Sequence, residues 1–242
     1  MTQHSGGEPR ARPDETGTGS TDTIDTVVLD VDGTLVDSVY THVEAWMRAF
    51  RGIGVPVEAW RVHRAIGMGG DKLVPEIAGE RVEEALGDQV RELHDSEYDD
   101  VVAGVQLLPG ADALLEELKR RGFRVVLASS GSKAQTEQAL EKLDRSDLVD
   151  DWVSSADVDD SKPEPDLVQV ALERAGSRRA VMVGDSVWDV EAGARGGIPV
   201  IGLRCGGFPD EELTEAGAVA LFDNPQDLVD RFDQSGLPPQ AG

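Results

Sequence analysis

The stretch Thr26-Val-Val-Leu-Asp-Val-Asp-Gly-Thr-Leu35 decides the fold of this 242-residue chain. It begins with a short apolar run, Thr26-Val-Val-Leu29, and continues directly into two acids, Asp30 and Asp32. Short apolar runs that end at turn-forming residues are typical of buried parallel strands. The stretch therefore predicts a central strand whose carboxyl end carries two carboxylates.

The same alternation of apolar runs and helical patterns continues along the chain. Further strands are predicted at Phe123–Ala128, Ala180–Val183, Pro199–Ile201 and Ala218–Leu221. Helices are predicted between and after them, at Gly110–Arg121, Lys133–Leu143, Asp166–Ala175, Val187–Arg195 and Pro225–Phe232. This alternation predicts an α/β fold with a Rossmann-like parallel sheet, built from residues 24–37 and 105–233.

Residues 38–104 interrupt the alternation with helical periodicity and no convincing strand. Helices are predicted at His42–Arg51, Glu58–Ile66, Asp71–Ala78 and Gln89–Val101. A run of helices placed directly after the first strand predicts a helical cap inserted into the α/β core. Residues 1–23, rich in Gly, Ser, Thr and Pro, and residues 234–242 are predicted to be flexible tails.

Composition excludes several classes of function. The chain carries 47 acidic and 23 basic residues, a formal net charge of −24, which repels nucleic acids and anionic membranes. One cysteine, Cys205, excludes an intramolecular disulfide and a thiolate metal cluster. No apolar segment reaches the ~20 residues of a membrane span. We therefore expect a cytoplasmic protein that is a monomer or weak homodimer.

Polar residues follow the predicted strands in four places. They are Asp30 with Asp32, Ser129 with Ser130, Lys162 ahead of a helix, and Asp185 with Asp189, and Ser186 is a predicted N-cap. Ligands of open parallel sheets bind beyond the carboxyl ends of the strands. The four clusters therefore predict one shared site.

These residues form motifs that resemble those of the haloacid dehalogenase superfamily, within it the phosphatases with a helical cap after the first strand. The motifs are Asp30-Val-Asp-Gly-Thr-Leu35, Leu127-Ala-Ser129, Ser161-Lys-Pro-Glu-Pro-Asp166 and Gly184-Asp-Ser-Val-Trp-Asp189. They occur in order, and the resemblance covers about residues 25–225. It implies a phosphate-ester hydrolase of the phosphoglycolate phosphatase or β-phosphoglucomutase type, acting on a small phosphorylated metabolite.

The resemblance also implies a role for each position. Asp30 would be the nucleophile that forms an aspartyl-phosphate, and Asp32 would protonate the leaving alkoxide and then deprotonate water. Ser129 and Lys162 would hold the phosphoryl oxygens.

The implied cofactor is Mg²⁺. Asp30, the backbone carbonyl of Asp32, and Asp185 would hold it. Asp189 would ligate the metal or its water, or orient Lys162.

Two residues of the predicted cap are candidates for contact with the substrate. Lys72 follows a glycine-rich segment, Gly67-Met-Gly-Gly70, and we expect it to meet an anionic group, although a solvated lysine is an equal alternative. His42 lies twelve residues after Asp30; in β-phosphoglucomutase a histidine at that offset couples cap closure to the counterpart of Asp32. A packing role for His42 is the alternative.

Rival interpretations remain. A calcium loop starting at Asp30 would need Gly and Glu where Leu35 and Thr41 stand, which argues against it. Dehalogenases lack a second acid at the position of Asp32. A sugar-phosphate mutase is the nearest competitor, although an arginine expected in its cap loop is replaced by glycine here. A non-catalytic protein that keeps the fold is the rival from another class.

Overall fold

The computed structural model describes residues 23–238. The predicted N-terminal tail, up to residue 22, and residues 239–242 of the predicted C-terminal tail lie outside this range. Within residues 23–238 six strands are present: β1 Thr26–Leu29, β2 Arg124–Ala128, β3 Asp151–Val153, β4 Ala180–Gly184, β5 Val200–Leu203 and β6 Ala220–Phe222. All neighbouring strands pair in parallel, in the order β3-β2-β1-β4-β5-β6. The predicted α/β fold with a Rossmann-like parallel sheet is confirmed.

Ten α-helices surround or extend this sheet in the described residues. They are α1 Val39–Gly52, α2 Ala59–Ala65, α3 Gly70–Ala78, α4 Glu80–Asp99, α5 Ala111–Arg120, α6 Lys133–Leu143, α7 Asp166–Ala175, α8 Val187–Gly196, α9 Asp210–Ala216 and α10 Pro225–Asp230. Short 3-10 turns lie at Val102–Gly104, Ser146–Leu148, Ser155–Asp157, Arg204–Gly206 and Phe232–Gln234. Every described helix is too short or too polar to cross a bilayer.

Alternating side chains of the strands divide the core into two layers. In β1, Val27 and Leu29 pack in one hydrophobic cluster, and Val28 packs in the cluster on the opposite face. This follows from the two-residue period of a strand, which sends successive side chains to opposite faces. Both faces are buried, as a parallel sheet with helices on each side requires.

Helices α1 to α4 form a cap with a hydrophobic cluster of its own. Its members are Val39, Val43, Trp46, Ala49, Phe50, Val62, Ala65, Ile66, Leu73, Val74, Ile77 and Val90. All of them come from the segment between β1 and α5, so the predicted helical cap after the first strand is present. The residue boundaries of cap and core stay a prediction.

Three features differ from the sequence-based expectation. Strand β3 was not predicted because it has three residues, of which Asp151 and Trp152 are only half-buried. Helix α4 begins at Glu80, well before the predicted Gln89, since the charged first half of this helix has little apolar periodicity. Leu237 is buried in the core, so the described part of the predicted C-terminal tail packs against the domain.

Candidate functional site

Three neighbouring strands bring the predicted site residues to one edge of the sheet. Asp30 follows β1, Ser129 follows β2 and Asp185 closely follows β4. Strand β1 lies between the other two, and all three point the same way. Their carboxyl ends therefore meet, and the side chains of Asp30, Ser129 and Asp185 are all buried there.

Lys162 lies at the centre of this edge. Its side chain has 0% exposure, and its Nζ donates to Asp30 Oδ1 and lies 2.7 Å from Asp189 Oδ1. A buried ammonium needs such partners, because transfer from water to a low-dielectric interior disfavours its charge. Burial alone lowers the pKa of Lys162, but the charges of Asp189 and Asp30 outweigh burial and raise it. Lys162 is therefore a fixed cation beside the Asp30 carboxylate.

Asp189 is held by the start of helix α8. Ser186 is the N-cap residue, as predicted, and its hydroxyl accepts a hydrogen bond from the Asp189 backbone. In return, Asp189 Oδ2 accepts from the Ser186 backbone at 3.0 Å and from its hydroxyl at 2.6 Å. This capping box fixes one carboxylate oxygen and aims the other at Lys162.

Asp185 adds a third buried carboxylate to Asp30 and Asp189, and the arrangement of the three fits a hard divalent cation. Asp30, Asp185 and Asp189 each offer an oxygen, and these oxygens lie within 4.8 Å of one another. Burial raises the pKa of Asp30 to about 7; Lys162 opposes this shift, and the charges of Asp189 and Asp32 add to it. Burial, followed by the charge of Asp30, also raises the pKa of Asp185 well above its usual range.

Three buried carboxylates with one buried lysine leave an excess of negative charge that a bound metal ion would offset. Asp185 accepts one hydrogen bond from a described side chain, Thr34 Oγ1 at 3.1 Å, and lies where a Cβ on Gly33 or Gly206 would collide with it. Oxygen ligands of this kind suit Mg²⁺. Asp30, Asp185 and Asp189 thus have the chemistry of a magnesium site.

Asp32 faces the cap and is contacted by two of its side chains. Ser38 Oγ donates to Asp32 Oδ1 at 2.6 Å, and His42 Nε2 lies 3.1 Å from the same oxygen. On the core side, Ser129 Oγ donates to Asp32 Oδ2 at 3.4 Å. Burial raises the pKa of Asp32, but the Coulombic interaction with His42 and the hydrogen bonds from His42 and Ser38 outweigh burial. The net result is a pKa of about 2.

A chain of polar contacts extends from Asp32 into the cap. His42 Nδ1 lies 3.1 Å from His94 Nε2, and His94 Nδ1 lies 3.1 Å from Asp95 Oδ1. Gln135 of the core donates to Asp95 Oδ1 at 3.0 Å. Sequence reasoning missed His94, Asp95 and Gln135, because partners separated by about 40 to 50 positions leave no spacing motif.

The glycine-rich segment of the cap rests on the core beside these residues. Gly69 donates its backbone N–H to Ser161 Oγ at 2.9 Å, and Ser130 Oγ donates to the Gly67 carbonyl at 3.0 Å. A Cβ on Gly69 would lie 2.4 Å from Ser161 Oγ, so this close approach requires glycine. Ser161 directly precedes Lys162, and the cap therefore seats on the residue next to the buried lysine.

Lys72 does not lie in the cavity between cap and core. Its Nζ pairs with Asp160 of the core and lies 3.7 Å from Asp71. In this arrangement Lys72 joins the cap to the core, and its contact with the substrate stays a prediction.

Asp30 and Asp32 open onto a cavity of about 120 Å³ between the cap and the core. Helices α1 and α4 and the glycine-rich segment form one wall, and the residues that follow β2 form the other. Its lining includes Asp30, Asp32, His42, Trp46, Ile66, Gly67, Met68, Gly70, Arg91, His94, Asp95, Ser130, Gly131, Ser132, Gln135 and Ser155. A small ligand in this cavity would reach both acids.

A model of the haloacid dehalogenase-like hydrolase family matches residues 24–197. The chain belongs to this family. A phosphoglycolate phosphatase from Rhodospirillum rubrum is 29% identical over 227 residues, which cover 89% of this chain and 92% of that protein. These matches confirm the predicted family and enzyme class, a haloacid dehalogenase-like phosphatase, and oppose the non-catalytic rival.

Solved structures agree with this assignment. A hydrolase from Pseudomonas syringae superposes with a TM-score of 0.82 at 32% identity, covering 86% of this chain and 98% of that one. A β-phosphoglucomutase from Clostridium difficile has a TM-score of 0.75 at 18% identity, covering 88% of this chain and 96% of that one. The second likeness concerns the fold alone, so it leaves the choice between hydrolysis and phosphoryl transfer to the chemistry of the site.

Proposed function

We propose that this hydrolase cleaves the phosphate monoester of a small metabolite with Mg²⁺, through an aspartyl-phosphate on Asp30. The observation that carries the proposal is the position of Asp30. Its carboxylate borders the cavity, contacts the ammonium of Lys162 and has a second acid, Asp32, nearby on the same strand end. A nucleophile, a cation and a proton carrier at one cavity are what phosphoryl transfer through a carboxylate needs.

The metal would be held by Asp30, Asp185 and the backbone carbonyl of Asp32, with Asp189 beside them. When bound, Mg²⁺ neutralises part of the charge of the phosphoryl oxygens and of the carboxylates that they approach. Asp189 also keeps Lys162 in place, since its Oδ1 lies 2.7 Å from Nζ. Lys162 and Ser129 would hold the phosphoryl oxygens, the lysine as a point charge.

In the first step, an oxygen of Asp30 attacks phosphorus and the ester P–O bond breaks. Asp32 gives the departing alkoxide its proton. The pKa of about 2 describes Asp32 beside His42; an anionic phosphoryl group next to Asp32 raises that pKa, because a nearby like charge disfavours the carboxylate. The products are a free alcohol and phosphorylated Asp30.

In the second step, Asp32 removes a proton from water. The oxygen of that water forms a bond to phosphorus, and the bond from phosphorus to Asp30 breaks. Inorganic phosphate leaves, and Asp30 returns as a carboxylate. The cap excludes bulk water around this chemistry, since its glycine-rich segment rests on Ser130 and Ser161 of the core.

A sugar-phosphate mutase is the second candidate, favoured by the contact of His42 with Asp32. It shares the first step but returns the phosphoryl group to another hydroxyl of the sugar. The cap segment Gly67–Gly70 lacks the arginine expected of such mutases, which supports hydrolysis. Interconversion of β-glucose 1-phosphate and glucose 6-phosphate without net release of phosphate would favour the mutase instead.

Phosphate release from 4-nitrophenyl phosphate and from a library of phosphorylated metabolites tests the proposal. Activity should require Mg²⁺, disappear with EDTA and fall by about 10⁴-fold or more in Asp30→Asn, which lacks the nucleophilic oxygen. Acid-quenched enzyme should carry a phosphoryl group that is labile to hydroxylamine, as an acyl phosphate is. No phosphate release from any monoester with Mg²⁺ would refute the hydrolase.

A further inference from the structure

The part of the cavity lining formed by Asp95 and Gln135 bears on the choice of leaving group. There, Asp95 of the cap and Gln135 of the core meet through a hydrogen bond of 3.0 Å. The Asp95 side chain is 49% exposed, and Asp95 and Gln135 both line the cavity. A carboxylate that faces a substrate cavity accepts hydrogen bonds from hydroxyl groups and repels other carboxylates.

The described lining holds one Lys or Arg side chain, Arg91, and its charge is already paired with other carboxylates. The guanidinium of Arg91 donates two hydrogen bonds of 2.9 Å to the Glu83 carboxylate. It also donates to Asp88 at 2.8 Å and to the Gly70 carbonyl at 3.2 Å. Two carboxylates thus neutralise Arg91, and its hydrogen bonds join parts of the cap to each other.

Asp95 has an acceptor oxygen available for a ligand. Its Oδ1 accepts from Gln135 and lies 3.1 Å from His94 Nδ1, whereas no described residue donates to Oδ2. The serine side chains of Ser132 and Ser155 also line the cavity, and hydroxyls can both donate and accept. This wall therefore offers hydrogen bonds without positive charge.

From this arrangement we infer that the leaving group is a small, uncharged alcohol with further hydroxyl groups, and that Asp95 selects it over a carboxylate. The inference rests on the proposed function, since it names the substrate class of the same site. The cavity of about 120 Å³ between cap and core has room for a leaving group of a few carbons. An α-phosphorylated hydroxy acid would place its carboxylate against Asp95.

Two matched substrate pairs test the inference. Glycerol 3-phosphate and 3-phosphoglycerate share a three-carbon skeleton and differ at a terminal hydroxymethyl or carboxylate; 2-hydroxyethyl phosphate and 2-phosphoglycolate form the two-carbon pair. We expect kcat/KM to favour the hydroxyl member of each pair by about tenfold, because the Asp95 carboxylate repels a substrate carboxylate placed beside it. 4-Nitrophenyl phosphate reports the core chemistry separately.

Asp95→Asn and Asp99→Asn form a matched pair of variants. Both residues lie on α4 and accept a hydrogen bond from α6, Asp95 from Gln135 at 3.0 Å and Asp99 from Gln138 at 2.8 Å. Asp99 does not line the cavity. Asp95→Asn should reduce the preference for the hydroxyl substrates by about tenfold, and Asp99→Asn should leave that ratio unchanged.

The outcomes separate the inference from the proposed function. Hydrolysis of 4-nitrophenyl phosphate together with a preference for 2-phosphoglycolate or 3-phosphoglycerate overturns the inference and leaves the hydrolase intact. If Asp95→Asn and Asp99→Asn change the ratio of kcat/KM between hydroxyl and carboxylate substrates equally, the proposed role of Asp95 is overturned. No hydrolysis of any monoester overturns the proposed function, and the inference with it.

Discussion

The imidazole Nε2 of His42 lies 3.1 Å from Oδ1 of Asp32, so the first helix of the cap touches the acid at the end of the central strand. Ser38, one turn earlier, donates to the same oxygen. Tyr98 of α4 stacks on His42 with ring centroids 4.1 Å apart. The ionisation of Asp32 is therefore linked to the packing of the cap.

The stability of the metal-free protein should fall as pH rises. The folded-state pKa of Asp30 is about 7 against an ordinary 3.8, so the folded protein binds this proton more tightly than the unfolded chain does. The free energy of unfolding then decreases from about pH 4 to pH 7, on the order of 4 kcal/mol at roughly 1.4 kcal/mol per pKa unit. Urea titrations in EDTA between pH 5 and pH 8 measure this slope.

Saturating Mg²⁺ should remove most of that loss, because the metal requires the ionised carboxylates and competes with protons. Asp30→Asn is the control: without the titrating carboxylate, the slope in EDTA should become shallower. Asp32, whose folded-state pKa is about 2, contributes stability that is lost only on acidification below its ordinary pKa. Stability in EDTA that is independent of pH from 5 to 8 would contradict the shifted pKa of Asp30.

Loss of the buried lysine should destabilise the protein far more than loss of a surface lysine. Lys162→Met leaves Asp30 and Asp189 without their cation, and breaking a buried pair in this way costs about 3–5 kcal/mol. Lys119→Met removes a partly exposed pair with Asp150 and should cost about 1 kcal/mol or less. Equal unfolding free energies for the two variants, measured in EDTA at pH 7, would argue against this view of Lys162.

The sequence indicates the positions of the core site residues better than the contacts made by the cap, for a physical reason. Asp30, Ser129 and Asp185 follow strands that are adjacent in the sheet, so a one-dimensional pattern already implies their meeting. Lys162 precedes a helix and follows no predicted strand directly, so its place in the site is less strongly indicated by the pattern. The chemistry of the core is thus encoded in short segments at strand ends.

The cap contacts depend on tertiary packing that short segments do not record. Within the cap, His42 contacts His94 and Tyr98 of α4, whose register against α1 is set by the whole helical cluster. Lys72 pairs with Asp160, a residue far along the chain that nothing in the segment around Lys72 indicates. Such pairings follow from the fold and have no signature in local periodicity.

Closure of the cap should depend on the absence of a side chain at Gly69. In Gly69→Ala the new Cβ would lie 2.4 Å from Ser161 Oγ and force the glycine-rich segment away from the core. We expect kcat/KM for small monoesters to fall by about 10²-fold, the usual effect of an ångström-scale displacement at a reacting site. Gly104→Ala is the control, since its Cβ meets nothing within 4 Å; an equal effect of both substitutions would exclude this explanation.

Removal of His42 should change the pH dependence of turnover. The Coulombic interaction and hydrogen bond of His42 offset burial and help to hold the pKa of Asp32 at about 2. In His42→Ala burial prevails, so this pKa rises. Asp32 must be ionised to take a proton from water, and the acidic limb of the kcat profile should therefore move to higher pH, by about one unit or more.

4-Nitrophenyl phosphate is the substrate for this measurement, because 4-nitrophenolate leaves without a proton and the profile then reports Asp32 as a base. His63→Ala is the control, since His63 contacts the Gly206 carbonyl and stacks on Tyr40, away from Asp32. His63→Ala should lower the free energy of unfolding without moving the acidic limb of the kcat profile. If His42→Ala lowers kcat equally at every pH, then His42 acts through packing, and the 3.1 Å contact does not set the ionisation of Asp32.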